Sequence, residues 1–77
     1  MQPSMRRFQF IRSEDVSGIS GTGLVAEGVE YTDGSVVIRW LTHTSSFGLF
    51  DNTKTFLAVH GHNGLGEIQW LDPDPNE

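Results

Sequence analysis

Apolar and polar positions alternate with a period of two in several short runs of this chain, and one run breaks the alternation. In Arg6 to Ser13, RRFQFIRS, Phe8 and Phe10 alternate with Arg7 and Gln9. In Ser46 to Asp51, SFGLFD, the apolar positions are Phe47 and Leu49, and in Glu67 to Asp72, EIQWLD, they are Ile68 and Trp70. Alternation over such lengths predicts half-buried strands. A longer stretch, VAEGVEYTDGSVVIRWLT from Val25 to Thr42, holds Asp33-Gly34 between two β-rich runs. That dipeptide predicts a hairpin closed by a two-residue type I′ turn.

Such a turn sets Tyr31 opposite Val36, Val29 opposite Ile38 and Glu27 opposite Trp40. One face of the hairpin then carries Val25, Val29, Tyr31, Val36, Ile38 and Trp40 and reads as the core face. The other pairs Glu30 with Val37, Gly28 with Arg39 and Ala26 with Leu41, with Glu30 diagonal to Arg39 and able to form an ion pair. Glu27 fits badly, because it falls on the core face beside Trp40. A bulge at Gly28 that turns Glu27 outward is the favoured reading.

The break in alternation is DNTKTFLAVHG, Asp51 to Gly61, where Asp51 or Asn52 can cap a helix and Phe56, Val59 and Leu57 give a short apolar face. The helix is about ten residues, roughly 15 Å. Thr53, Thr55 and Val59 are β-branched and lower its propensity, so it depends on packing against the sheet. The pattern predicts an α+β, mainly β fold. It has about five antiparallel strands in a bent sheet or small SH3-like barrel, with one short helix before the last strand. Residues 6–72 form the single domain, residues 1–5 a disordered N-terminus, and residues 73–77 an acidic disordered tail whose prolines cannot continue a sheet.

Composition narrows the function classes. A chain of 77 residues buries only about 60% of the surface it exposes when unfolded, so a partner or second subunit is expected to help. With Cys at 0, disulfides, thiolate metal sites and cysteine nucleophiles are excluded. Lys and Arg total 5 against 10 Asp and Glu, and a net charge of −5 disfavours nonspecific binding to nucleic acid. No apolar run approaches the ~20 residues of a membrane span, and MQPSMRRFQF lacks the apolar segment of a secretory signal. A soluble, cytoplasmic protein without membrane contact is expected.

Candidate chemistry is sparse. In AVHGHNGLG, His60 and His62 flank Gly61, and with His43 three imidazoles could make an open zinc site. Gly61 also stands where a helix needs a left-handed residue to end, and His60 where an imidazole interacts well with the helix dipole. The capping reading is preferred. It predicts positive φ at Gly61 and no metal, and makes His62, rather than His60, the ring that touches a ligand. The loop SEDVSGISGTG, Ser13 to Gly23, is long for so small a domain. Asp15, Ser17, Ser20 and Thr22 and its glycines could build an anion-binding nest, or the loop could simply satisfy itself through Asp and Ser turns. It leads into a strand, so neither a P-loop nor a dinucleotide fingerprint is present. Arg39 points away from the core, where it can meet a carboxylate or phosphate, or Glu30. No nucleophile elbow, metalloprotease motif or carboxylate pair indicates an enzyme, a catalytic residue or a cofactor.

Taken in order, RSEDVSGISGTGLVAEGVEYTDGSVVIRWL, an aromatic-rich strand, LAVHGHNG and IQWLD resemble a family of small hypothetical proteins encoded by phages, actinobacteria and haloarchaea. The resemblance covers roughly residues 6–72. It implies a phage or accessory-gene setting and assigns no activity or site residue. The reading of the whole chain is a nonenzymatic binding module that inhibits or modulates a host protein, in counter-defence or host takeover. A second hairpin face with Leu24, Ala26, Val37 and Leu41 offers a partner or homodimer interface centred on Val37 and Leu41. The alternative is a binder of a small anionic, nucleotide-derived ligand at the Ser13 to Gly23 loop with Arg39 or His62.

Overall fold

The structure, a computed structural model, describes residues 4–13, 22–41, 45–61 and 64–75. The alternating runs become strands β1 (Arg6–Arg12), β2 (Gly23–Glu30), β3 (Val36–Trp40), β4 (Ser46–Phe50) and β5 (Gly66–Trp70), with helix α1 (Thr53–His60) before the last. All neighbours are antiparallel, in the order β4-β3-β2-β1-β5. The sheet is open, with β4 and β5 as its edges, so of the two expected architectures the sheet is realised and the closed barrel is not.

The hairpin forms at the expected place with a different turn. Thr32, Asp33 and Gly34 all belong to the loop: Tyr31 N–H donates to Ser35 C=O at 2.7 Å, and Gly34 N–H donates to Tyr31 C=O at 2.9 Å. Gly34 takes φ +92°, which costs a residue without Cβ little. Asp33 holds the turn by accepting from Ser35 Oγ at 2.6 Å and from Ser35 N–H at 2.9 Å. These bonds keep its carboxyl below the ordinary range. This is the longer hairpin loop, a turn followed by a left-handed glycine, in place of the two-residue type.

The extra loop residue slips β2 against β3 by one position, and a one-residue slip sends every β2 side chain to the opposite face. Gly28 now faces Ile38, Ala26 faces Trp40 and Glu27 faces Arg39. Val29 and Tyr31 therefore leave the predicted core face, and Tyr31 is exposed. The misfit of Glu27 is resolved by this register, without a bulge at Gly28. The irregularity of β2 lies elsewhere, opposite Phe10 and Ile11, where Val25 is the inserted residue and turns into the core.

On the core face Phe8 stands over Gly28 and Phe10 over Ala26, flanked by Val36 and Ile38 on β3. Helix α1 covers this face with Phe56, which is fully buried and meets Phe10 and Phe50 edge-on at centroid distances of 4.8 and 5.3 Å. Leu57 packs beside it, while Val59, expected inside, is exposed. Asn52 caps the helix by accepting from Thr55 N–H at 2.7 Å. At the other end Gly61 has φ −73°, not the positive value expected, because it continues the helical path and donates to Leu57 C=O at 2.8 Å. The chain reverses at Gly64, φ +90°.

In β4 the inward and outward positions also differ from expectation. The pairing of β4 with β3 turns Gly48 and the half-buried Phe50 to the core and leaves Phe47 and Leu49 outside, 69% and 79% exposed. In β5, Ile68 and Trp70 pack on the core as the alternation predicts.

Candidate functional site

Among the described residues one helix covers one face of the sheet and leaves the outer face open to binding. It presents Arg7, Gln9 and Ile11 from β1, Glu27 and Val29 from β2, Val37 and Arg39 from β3, and Phe47 and Leu49 from β4. Toward its middle lies a concavity of about 340 Å³ floored by Gly28 and lined by Arg7, Glu27, Val29, Val37, Arg39 and Phe47 among others. The short side chains of Val29 and Val37 leave the depression, and the longer Arg7, Arg39 and Phe47 make its rim.

The two arginines of this concavity behave differently. Arg7 is committed: its N–H, Nε and Nη2 donate to the Asp72 carboxylate at 2.7, 3.0 and 2.8 Å, and its carbonyl accepts from Leu71 N–H at 2.9 Å. The guanidinium hydrogen bonds to Asp72, followed by the Arg7 backbone N–H, hold that carboxyl down at about 2, and the same contact raises Arg7. Arg39 lies directly across from Glu27, yet its guanidinium sits over the Phe47 ring, 4.7 Å from the centroid, and makes no ion pair among the described residues. The expected partner of Arg39, Glu30, is engaged instead by Arg6 at 2.9 Å on the core face, a consequence of the slipped register. An exposed guanidinium stacked on an aromatic ring keeps its donors free for a carboxylate or phosphate.

Of the residues singled out from the sequence, Val37 and Arg39 meet at this concavity. Leu41 is exposed just beyond β3 and donates its N–H to Val25 C=O at 3.0 Å, and Leu24 is exposed near Ile11. Ala26, expected beside them, is buried in the core. Thr22 is exposed at the foot of β2. Asp15, Ser17, Ser20, His43 and His62 lie outside the described residues. His60 is half-buried in an aromatic cluster, 4.8 Å from Trp40 and 5.7 Å from Phe50 between ring centroids. Among the described residues no group of three or more His, Asp or Glu side chains is placed to hold a metal ion. No helix among them is long and apolar enough to cross a membrane.

Sequence reasoning passed over Phe47 and Arg12. Phe47 read as a core residue because Phe47 and Leu49 alternate with Ser46 and Gly48, and only the pairing with β3 shows that this side faces out. Arg12 is 2% exposed, with its guanidinium near the Phe10 and Trp40 rings at 5.5 and 5.9 Å. Its Nη2 donates to His60 C=O at 3.2 Å, while Nε has no hydrogen-bond partner. It ties the end of α1 to the sheet. The period of two that turns Phe8 and Phe10 inward places Arg12 on the same face, and that phase was the signal for its burial.

Comparison with known proteins agrees with the phage setting. The family model described as Acb5 phage protein matches residues 5–72. No curated protein and no solved structure matches the chain significantly.

Proposed function

The chain belongs to the Acb5 phage protein family, and we propose that it is a nonenzymatic binding module that occupies a host protein through its outer sheet face, in counter-defence or host takeover. The observation that carries this reading is the Arg39 and Phe47 stack beside an apolar concavity on a sheet face that no helix among the described residues covers. Such a face suits a protein surface that offers apolar side chains to Val37, Phe47 and Leu41 and an acidic group to Arg39. Aromatic residues and arginine in a partly apolar centre are the combination that concentrates binding energy in protein interfaces. The test is capture from host extract with the intact chain, followed by reconstitution of the complex from purified components. Val37→Asp, Leu41→Asp and Arg39→Glu are each expected to abolish the reconstituted complex while leaving circular dichroism and melting unchanged. Equal binding by folded variants would refute the assignment of this face.

The volume of the concavity favours a second reading, a small anionic ligand held by Arg39. About 340 Å³ is at the lower end of the range of small-molecule sites. A thermal-shift screen with nucleotides and inorganic phosphate separates the two, since a ligand at a hundred times its Kd stabilises the folded state by about 2.7 kcal/mol. A shift that disappears in Arg39→Ala would support the ligand. No shift leaves the protein partner.

A further inference from the structure

The two edges of the sheet differ in how they meet solvent. Natural edge strands are blunted by charge, proline or a bulge, because their free N–H and C=O groups template pairing with another chain. Strand β5 carries Glu67 and Gln69 on the outer face. Strand β4, SFGLF, has no charge, no proline and no irregularity in its pairing with β3, and its Phe47 and Leu49 are the most exposed large apolar side chains described.

Hydrogen-bond parity identifies which β4 groups are free. Tyr31 bonds Ser35, and Leu41 bonds Val25, so the odd-numbered β3 positions turn their main-chain groups to β2. The even positions, Val36, Ile38 and Trp40, turn theirs to Phe50, Gly48 and Ser46. Phe47 and Leu49 are left with N–H and C=O pointing out of the edge.

We infer that this edge pairs with a second copy of the chain, β4 against β4, antiparallel about a two-fold axis at Gly48. In that register Phe47 of each copy faces Leu49 of the other, and each such pair exchanges both of its outward main-chain bonds. Gly48 meets Gly48 of the second copy at the non-bonded position, where antiparallel Cα atoms approach most closely. The strand is self-complementary in this alignment: aromatic meets aliphatic on the outer face, and Asp51, the nearest charge, falls opposite Ser45 and not opposite its own copy. An isologous contact of this kind closes at two subunits and joins the two five-stranded sheets into one. It stands apart from the outer-face reading, because edge pairing lies in the plane of the sheet and leaves that face open.

The test is sedimentation velocity on the full chain over a range of concentrations, with amide hydrogen exchange at the concentrated end. Wild type is expected to shift from one chain to two as concentration rises. Leu49→Lys, at a side chain that the monomer leaves exposed, is expected to weaken the dimer at least tenfold, with a melting curve that matches wild type at concentrations where both are single chains. Exchange should slow specifically at Phe47 and Leu49, since Ser46, Gly48 and Phe50 are already bonded to β3. A wild type that sediments as one chain at every concentration overturns the inference. So does a dimer in which Phe47 and Leu49 exchange at the monomer rate.

Discussion

Gly28 offers a direct test of the register. A methyl group built there would lie 2.3, 2.7 and 2.9 Å from the Cζ, Cε1 and Cε2 atoms of Phe8. To restore ordinary contact the ring must retreat by about 1 Å, in an interior packed as densely as an organic crystal. It has little room: Phe8 is 1% exposed and held between Trp70 and Phe56, at centroid distances of 5.1 and 6.5 Å. Overpacking of this sort costs about 1–3 kcal/mol, against about 0.5–1 kcal/mol recovered by replacing a glycine inside a strand. Gly28→Ala is therefore expected to destabilise the domain by up to about 2.5 kcal/mol, a fall of about 4–8 °C in Tm per kcal/mol for a chain of this size. Phe8→Leu alone should cost about 1–2 kcal/mol by leaving space. Combined with Gly28→Ala it should cost less than the sum, since the methyl enters that space. Urea and thermal denaturation of the four proteins give the cycle. In the two-residue-turn register Gly28 faces outward and the alanine would stabilise, so the sign of the single substitution decides between registers. A stabilised Gly28→Ala, or strictly additive changes, would refute the packing described.

Substitutions at three further positions probe other contacts. Asn52→Ala removes the acceptor of Thr55 N–H and is expected to cost about 1 kcal/mol in urea denaturation. Arg12→Met keeps the buried stem and removes the charge; it should change stability by less than about 1 kcal/mol, whereas Arg12→Ala should cost about 2 kcal/mol or more through the cavity. Asp72 has its carboxyl lowered to about 2 from 3.8, so its contribution to stability is complete above about pH 4 and lost as pH falls through about 2. The Tm of wild type should accordingly exceed that of Asp72→Asn at neutral pH, and the two curves should converge in acid.

What could be read from the sequence was local. Phe8 and Phe10, and Ile68 and Trp70, alternate with polar residues, and their strands and faces follow directly. Asn52 stands before a run that breaks the alternation, and it caps the helix. Asp33-Gly34 marked the hairpin, but its register depended on whether Thr32 joined the loop, which the hydrogen bonds of Asp33 to Ser35 decide. The signal was the awkward Glu27: moving it outward by one position also brings Ala26 and Gly28 inward. There the small residues fit only because Phe10 and Phe8 of β1 lie opposite them, a pairing across a long chain separation. The same dependence hides the site. In SFGLF the alternation points Phe47 and Leu49 inward, so their exposure and the stacking of Arg39 emerge only from the β3 and β4 pairing. Gly61 misled for another reason. A glycine after a helix can end it with positive φ, yet here the reversal is deferred to Gly64.

The strength of the two proposed contacts follows from how little each can bury. Fully burying a phenylalanine or leucine side chain is worth about 1.5–3 kcal/mol. Edge pairing covers only one flank of Phe47 and Leu49, so about 1 kcal/mol for each in both copies is reasonable, or about 4 kcal/mol in all. Each main-chain bond adds about 0.5–1.5 kcal/mol net. Association costs about 4–15 kcal/mol, so the gain and the cost are of the same order and the β4 dimer is a weak, concentration-dependent one. The flank that pairing leaves uncovered is the one perpendicular to the sheet, where Phe47 carries Arg39. The proposed host partner, seated on that face, would bury what the proposed second copy cannot reach. Because the edge uses main-chain groups in the plane of the sheet and the face uses side chains standing out of it, filling one contact leaves the other free to form.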